Sequence, residues 1–346
     1  MRADNDIPLK FGVSQCIGDT VGPGGLFKAL RTAPVWLEVL KDCETDCPNA
    51  WVLNYTNPMS LLSLAAFRAA RMLTVGLCHS VQGSSRQLAG YADVPYEEME
   101  WACAGINHMA WFTKLEHKGR DLYPLLLERI DADPELYEKD PVRFDMMRHM
   151  GAFVTESSGH FSEYVPYYRK RRELIERYCR AGYLGQESFY ADNWPNWRKA
   201  ADERRQRVLK GDEPLAEAKR STEYASYIIG ARESNVPFTI HGNVLNRGLI
   251  DNLPQDGCVE VACRVDGSGI HPTPYGELPA QLAALCASNM AFFELGTEAV
   301  LKRDRQAALY ALMVDPLTAA VCSPAEIKQM FEEMWAAQAE FLPGYQ

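Results

Sequence analysis

Between Trp51 and Trp111 three short apolar runs each stop at a cluster of polar, reactive side chains. No other feature constrains the fold as much. The first run, Trp51-Val52-Leu53, leads into Asn54-Tyr55-Thr56-Asn57-Pro58. The second, Leu73–Leu77, leads into Cys78-His79-Ser80, and the third, ending Ala104-Gly105-Ile106, leads into Asn107-His108. Short apolar runs bounded by turn residues read as buried strands. Pro58 is placed to open a helix through Leu61, Leu62, Leu64, Ala65 and Phe67, and Ser80 to cap the next one. Strands alternating with helices predict an α/β protein with a parallel sheet, and open sheets of that kind gather ligands at the carboxyl ends of their strands.

The rest of the chain is read around that stretch. Asp19-Thr20-Val21-Gly22-Pro23-Gly24-Gly25 has the composition of a loop, followed by helical spacing from Gly25 to about Asp42 that Pro34 should kink or restart. Met99–Ala104 and Met109–Glu116 read as neighbouring strands. Beyond residue 120 helices are expected at 121–131, 141–150, 160–180 and 213–232, then strands within 236–265, then helices across 278–342. A boundary near residue 100 divides the chain into residues 1–100, the remainder of a nucleotide-binding domain, and residues 101–346, a mostly helical α+β domain. A dinucleotide-binding sheet starts with a strand, a Gly-rich phosphate turn and an acidic residue farther on. The stretch Gly22-Pro23-Gly24-Gly25 does not follow a convincing strand, so the alternation reads as entered midway.

Composition bears on partners and compartment. A net charge of −10 argues against nucleic acid or an anionic membrane surface as the partner. The N-terminus lacks the apolar core of a signal peptide, and no run approaches the length of a membrane span. The 10 cysteines form no paired CxxC pattern and read as free thiols in a reducing cytoplasm.

Several residues could carry chemistry, each with a plainer role beside it. Cys78 and His108 could hold a divalent metal and leave positions open for substrate oxygens; a buried cysteine and a core histidine would look the same. His79 could hydrogen-bond a substrate hydroxyl or give a proton, or could simply pack. Asn54 and Asn57 bracket a strand-to-helix turn and could meet a ligand, or could satisfy their own backbone. Asp19 could tune a neighbouring base, or hold a turn. The segment from Gly159 to Arg172 crowds aromatic and ionisable groups, including Tyr164 and Tyr167, where a tyrosine near cations can serve as a base.

Taken together, Gly76-Leu77-Cys78-His79-Ser80-Val81-Gln82-Gly83, Gly105-Ile106-Asn107-His108-Met109-Ala110 and Asn54-Tyr55-Thr56-Asn57-Pro58-Met59 resemble glycoside hydrolase family 4, most of all its α-galactosidase branch. Gly18-Asp19-Thr20-Val21-Gly22-Pro23-Gly24-Gly25, His160-Phe161-Ser162-Glu163-Tyr164 and Asn252-Leu253-Pro254 fit as well, in family order along nearly the whole chain. The resemblance implies a lactate/malate dehydrogenase-like sheet, NAD and a divalent metal, usually Mn2+. It implies hydrolysis of α-galactosides by hydride abstraction at C3, deprotonation at C2 and elimination at C1, followed by the reverse steps, rather than two-carboxylate chemistry. Cys78 and His108 match the metal ligands, and Asn57 the asparagine on the substrate hydroxyls. Asn54 and Asn57 fall on the cofactor side. Tyr164 is matched to the C2 base, with Tyr167 in reserve, and Asp19 to the acid that strengthens it. Phospho-sugar enzymes carry an acid after the metal cysteine; His79 implies an unphosphorylated sugar. A small-molecule α-glycoside as partner and a homodimer or homotetramer follow from the same resemblance. So does the expectation that the first βαβ units of the nucleotide-binding domain are missing, which would weaken NAD binding.

Alternatives stand beside this reading. An α-glucosidase or α-galacturonidase could use the same mechanism. A lactate- or malate-type dehydrogenase shares the sheet, but leaves Cys78 and His108 without a task. An inactive remnant would keep the fold without the activity.

Overall fold

A computed structural model describes residues 2–217 and 219–345. Nine strands form one sheet: β1 (Trp51–Asn54), β2 (Leu73–Leu77), β3 (Met99–Ile106), β4 (Met109–His117), β5 (Arg120–Asp121), β6 (Phe153–Val154), β7 (Phe238–Leu245), β8 (Cys258–Asp266) and β9 (Gly269–Pro272). The order is β1-β2-β7-β8-β3-β4-β5, with β6 added to β4 and β9 to β8. The expected parallel sheet is limited to the β1–β2 pair; every other pairing among these nine strands is antiparallel. The reason is topological: β7 and β8, a hairpin from the second half of the chain, slot in beside β2 where a further parallel strand would have sat. The chain is therefore α/β with an open mixed sheet, within the Rossmann-like class. β1 is only half-buried rather than buried, because among the described residues it has a strand on one side only.

β3 and β4 form the expected neighbouring pair, joined by the two-residue loop Asn107-His108 between paired Ile106 and Met109. Side chains alternate across this hairpin. Met109 and Trp111 enter a large core built with the helices Gly22–Asp46, Met59–Ala69 and Ala280–Lys302, while Ala110 and Phe112 enter a second core with Val81, Leu126 and Phe144. Two buried cores on opposite faces fix the register, since a one-residue slip would exchange them.

Several local expectations are corrected. Residues 22–25 are not loop: they open the helix Gly22–Asp46, which runs through Pro34 without ending. Gly24 and Gly25 are needed there. A Cβ on Gly24 would lie 2.2 Å from the Gly18 carbonyl oxygen, and one on Gly25 2.4 Å from the Thr20 carbonyl carbon. The glycines let the loop carrying Asp19 lie directly against the helix start. Ser80 is the first residue of the helix Ser80–Ala92, with His79 at the cap position. The expected helix over 160–180 is two short helices, Ser158–Phe161 and Arg172–Tyr178. Between them Glu163 and Arg169 turn inward to satisfy backbone groups of residues 14–18 and 185. In place of a helix over 213–232 are the helices Phe189–Lys210 and Ala225–Ser234.

Candidate active site

The end of β2 delivers Cys78, 6% exposed. The β3–β4 loop delivers His108, whose backbone is left-handed (φ 63°) and whose side chain is 4% exposed. A third donor comes from Glu156, just past β6. Pairing of Val154 with Trp111 continues through Thr155, whose N–H donates to the Ala110 carbonyl (2.9 Å) and whose hydroxyl accepts from the Ala110 N–H (3.1 Å). That anchor turns Glu156, also left-handed at φ 72°, toward His108. One ligand atom each from Cys78, His108 and Glu156 lies within 4.8 Å of the others. Left-handed backbone at two non-glycine residues of one cluster is the strain found where function demands it.

The donor set suits a divalent cation: a thiol, an imidazole and a carboxylate, with the carboxylate favouring a harder ion. Electrostatics agree. Burial, and then the Glu156 carboxylate, push the Cys78 thiol up to about 12, so the sulfur needs a cation to ionise. Burial alone would raise Glu156, yet His108 and His160 outweigh it and hold the carboxyl at about 2. Nε2 of His108 is 3.4 Å from Glu156 Oε2, and Nδ1 is 3.2 Å from the Tyr164 hydroxyl. In the tautomer that frees Nε2 for a cation, Nδ1–H donates to Tyr164, which fixes the ring.

A cavity of about 440 Å3 opens over this cluster, lined by Asp19, Asn57, His79, His108, Glu156 and His160, with Tyr183 and Tyr190 closing one side. Asp19 is held on every flank. Lys28 Nζ is 2.9 Å away, the Thr20 hydroxyl donates at 2.6 Å, and His160 Nε2 lies at 3.8 Å. The Asp19 loop is itself gripped by Glu163, whose carboxylate accepts the N–H groups of Cys16, Ile17 (2.6 Å) and Gly18 (3.1 Å). Burial would raise the Asp19 carboxyl; Lys28 and His160 outweigh it and leave it at about 2. His160 is pushed down to about 4 by burial and by His108, so its ring is neutral at pH 7, and its Nε2 lacks a hydrogen-bond partner. A larger groove of about 670 Å3 along the helix Phe189–Lys210 contains no histidine or cysteine and lies apart from this chemistry.

The residues expected from the sequence divide accordingly. Asp19, Asn57, His79 and His108 meet at the cavity, and Cys78 lies in the cluster beneath it. Tyr164 joins the same cluster from behind: it is wholly buried, touches His108, and is not among the lining residues. Burial, then Asp19 and Glu156, raise its phenol well above the ordinary value. Asn54 closes its own turn, its amide accepting the Thr56 N–H (2.9 Å) and donating to the Thr56 carbonyl (3.2 Å). Tyr167 lines a different, outward groove. Glu156, His160, Tyr183 and Tyr190 went unassigned in the sequence. Only His160 stood in a stretch that drew notice.

With fold and site described, the class of protein can be stated. Residues 103–318 match the Family 4 glycosyl hydrolase C-terminal domain, and residues 1–94 match Family 4 glycosyl hydrolase. The chain belongs to glycoside hydrolase family 4. Within it the chain is similar to α-galactosidases. It is 42% identical to the Bacillus subtilis (strain 168) α-galactosidase across 99% of its own length and 78% of that enzyme's, and 37% identical to the Rhizobium meliloti (strain 1021) α-galactosidase across 99% and 71%. Among solved structures, that of the 'putative glucosidase lplD' from Bacillus subtilis superposes with a TM-score of 0.83 at 27% identity, covering 96% of this chain and 79% of that one. The 6-phospho-β-glucosidase of Thermotoga maritima, solved with manganese, NAD+ and glucose-6-phosphate, shares the fold (TM-score 0.72, 23% identity, 98% and 78% coverage).

Proposed function

We propose that this chain hydrolyses α-galactosides with a divalent cation, Mn2+ in the first instance, and NAD. The observation that carries the reading is the Cys78–His108–Glu156 cluster beneath a cavity wide enough for a sugar, in a chain 42% identical to an α-galactosidase. The cation would be held by those three side chains; bound there it supplies Lewis acidity to adjacent sugar hydroxyls, and NAD supplies a reversible hydride acceptor. Asn57, on the cavity wall three residues past β1, can hydrogen-bond a sugar hydroxyl. The described residues offer no Gly-rich strand-to-helix turn for the pyrophosphate.

The protein's own groups then divide the proton work. Tyr164 is proposed as the acceptor of the C2 proton, standing against His108 with Asp19 near it. A specific observation favours a second candidate, His160: it lines the cavity, is neutral, and has a free Nε2. His79, exposed at the rim, is proposed to protonate the departing oxygen. No helix of the described residues is long and apolar enough to cross a membrane, and a small soluble glycoside is the proposed partner, with self-association into a homo-oligomer.

The test is turnover of methyl α-galactoside, α-glucoside and α-galacturonide with and without Mn2+ and NAD. The reading expects the galactoside to be preferred and both additions to be required. Turnover that ignores both additions would refute the mechanism, and preference for another sugar would refute the substrate.

A further inference from the structure

Four strands set a row of residues behind the donor cluster. Pairing aligns Gly76 of β2 with Asn243 of β7, Asn243 with Glu260 of β8, and Glu260 with Gly105 of β3. Cys78 follows Gly76 by two residues, and His108 follows Gly105 by three. A carboxylic acid in the middle of such a row, 0% exposed, calls for a task. We propose that Asn107, Asn243 and Glu260 are positioning residues for the cation site, a buried hydrogen-bonding layer that closes on the Cys78 sulfur when a cation is bound to it. The inference rests on the cation reading of Cys78, His108 and Glu156 and extends it to the groups behind them.

Unpaired polar atoms carry the argument. Asn107, Asn243 and Glu260 are all fully buried. Both amide atoms of Asn107, Oδ1 of Asn243 and Oε2 of Glu260 lack a hydrogen-bond partner among the described residues. Buried polar atoms are nearly always paired. Such atoms gathered behind one cluster mark a network that a ligand at the cluster completes.

The contacts run toward the sulfur. Asn243 Nδ2 donates to Glu260 Oε1 and to the Gly76 carbonyl, both at 3.3 Å, which ties the layer to the strand leading to Cys78. Burial and then Cys78 raise the Glu260 carboxyl well above its ordinary range, with His108 acting the other way. Glu260 is therefore a neutral acid with an O–H to give. On Cys78, burial and then Glu156 push the thiol up, while Ser80 and the Asn107 amide act against them. Asn107 thus faces the sulfur, yet makes no hydrogen bond to the uncharged thiol. A thiolate is a far better acceptor than a thiol, so cation binding gives that amide its partner.

The glycines at the ends of the row keep the layer in place. A Cβ on Gly76 would lie 2.8 Å from the Asn243 Cβ and 2.5 Å from Met59 Sδ. One on Gly105 would lie 2.5 Å from the Met109 carbonyl oxygen. Side chains there would push Asn243 off the row and lift the loop that carries His108.

The experiment titrates Co2+ alone into the metal-free wild type, Asn107→Leu, Glu260→Gln and Glu260→Leu. It reads affinity and the thiolate-to-cobalt charge-transfer band. Removing a hydrogen bond from a thiolate raises the energy of its lone pairs. In Asn107→Leu the band should therefore move to longer wavelength, with binding weakened at least tenfold. Metal-free Asn107→Leu should melt no lower than the wild type, since leucine keeps the branched shape and removes the unpaired polar atoms. Glu260→Leu should weaken Co2+ about tenfold, and Glu260→Gln, whose amide supplies a donor in the same place, about threefold at most. Unchanged affinity and band in Asn107→Leu, or a loss of affinity matched by a loss of metal-free stability, would overturn the layer while leaving the cation site standing. Equal losses in Glu260→Gln and Glu260→Leu would overturn the donor role of Glu260. If Asn107→Leu does not fold, Asn107→Ala is read in the same way. A wild type that binds no Co2+ would overturn both the layer and the cation site.

Discussion

His108 Nε2 lies 3.4 Å from Glu156 Oε2, and both residues hold left-handed backbones to bring them there. The two come from opposite sides of β4, one from its leading loop and one from the end of β6. Glu156 is therefore a third donor beside Cys78 and His108, and removing it should weaken metal binding as removing Cys78 does. Glu156→Gln and Cys78→Ser should each lower Mn2+ affinity by at least tenfold, read by calorimetric titration and by metal content after desalting. Full Mn2+ retention in Glu156→Gln would remove it from the ligand set.

Tyr164 and His160 make different predictions about the proton at C2. If Tyr164 accepts it, Tyr164→Phe abolishes the washout of deuterium from a C2-labelled galactoside into water, and turnover falls by roughly 10²–10⁴. His160→Gln should then leave exchange detectable. The reverse pattern would assign the proton to His160 and leave Tyr164 as the residue that holds the His108 ring. Measuring exchange apart from hydrolysis separates the two, since a misplaced metal would depress both together.

How far the sequence goes is clear from these residues. Cys78 and His108 were legible because each follows an apolar strand, and strand ends are where sites collect. Glu156 was not, since Thr155-Glu156-Ser157-Ser158 has no periodicity. It reaches the site only through the pairing of β6 with β4, a contact about forty residues away in the chain that no local pattern encodes. The parallel β1–β2 pair was legible, but its antiparallel neighbour was not, for the same reason: β7 joins β2 across more than 160 residues. The helix Phe189–Lys210 escaped because Ala191 is its one buried residue, so it presents no apolar stripe. Over 160–180 aromatic and basic residues mimicked a helix face, but Glu163 and Arg169 are spent on backbone groups elsewhere.

Asp19 should make the fold acid-sensitive. Its folded carboxyl sits at about 2 against an ordinary 3.8, so its contribution is fully present above 3.8 and is lost as pH falls from there toward 2. The full shift corresponds to about 2 kcal/mol, of which about 1 kcal/mol should disappear between pH 5 and pH 3. Urea denaturation of the metal-free protein should show this loss, and Asp19→Asn should flatten it by the same amount. An equal acid dependence in both proteins would mean that the Lys28–Asp19 pair is not felt in the fold.

The glycines at the start of the helix Gly22–Asp46 tie that pair to the site. A Cβ on Gly24 would meet the Gly18 carbonyl oxygen at 2.2 Å, and backbone on both sides leaves no side chain to give way. Gly24→Ala must therefore push the loop of residues 18–20 off the helix, at a cost of roughly 2–3 kcal/mol, and carry Asp19 away from His160. Gly90, in the helix Ser80–Ala92, is the matched control: a Cβ there meets nothing within 4 Å. Gly90→Ala should stabilise by about 0.5 kcal/mol through helix propensity alone and leave turnover intact. Thermal melts give the two stability changes. Turnover of methyl α-galactoside shows whether the displaced loop takes the site with it. If Gly24→Ala melts with the wild type, the helix start and the Asp19 loop are not packed as described.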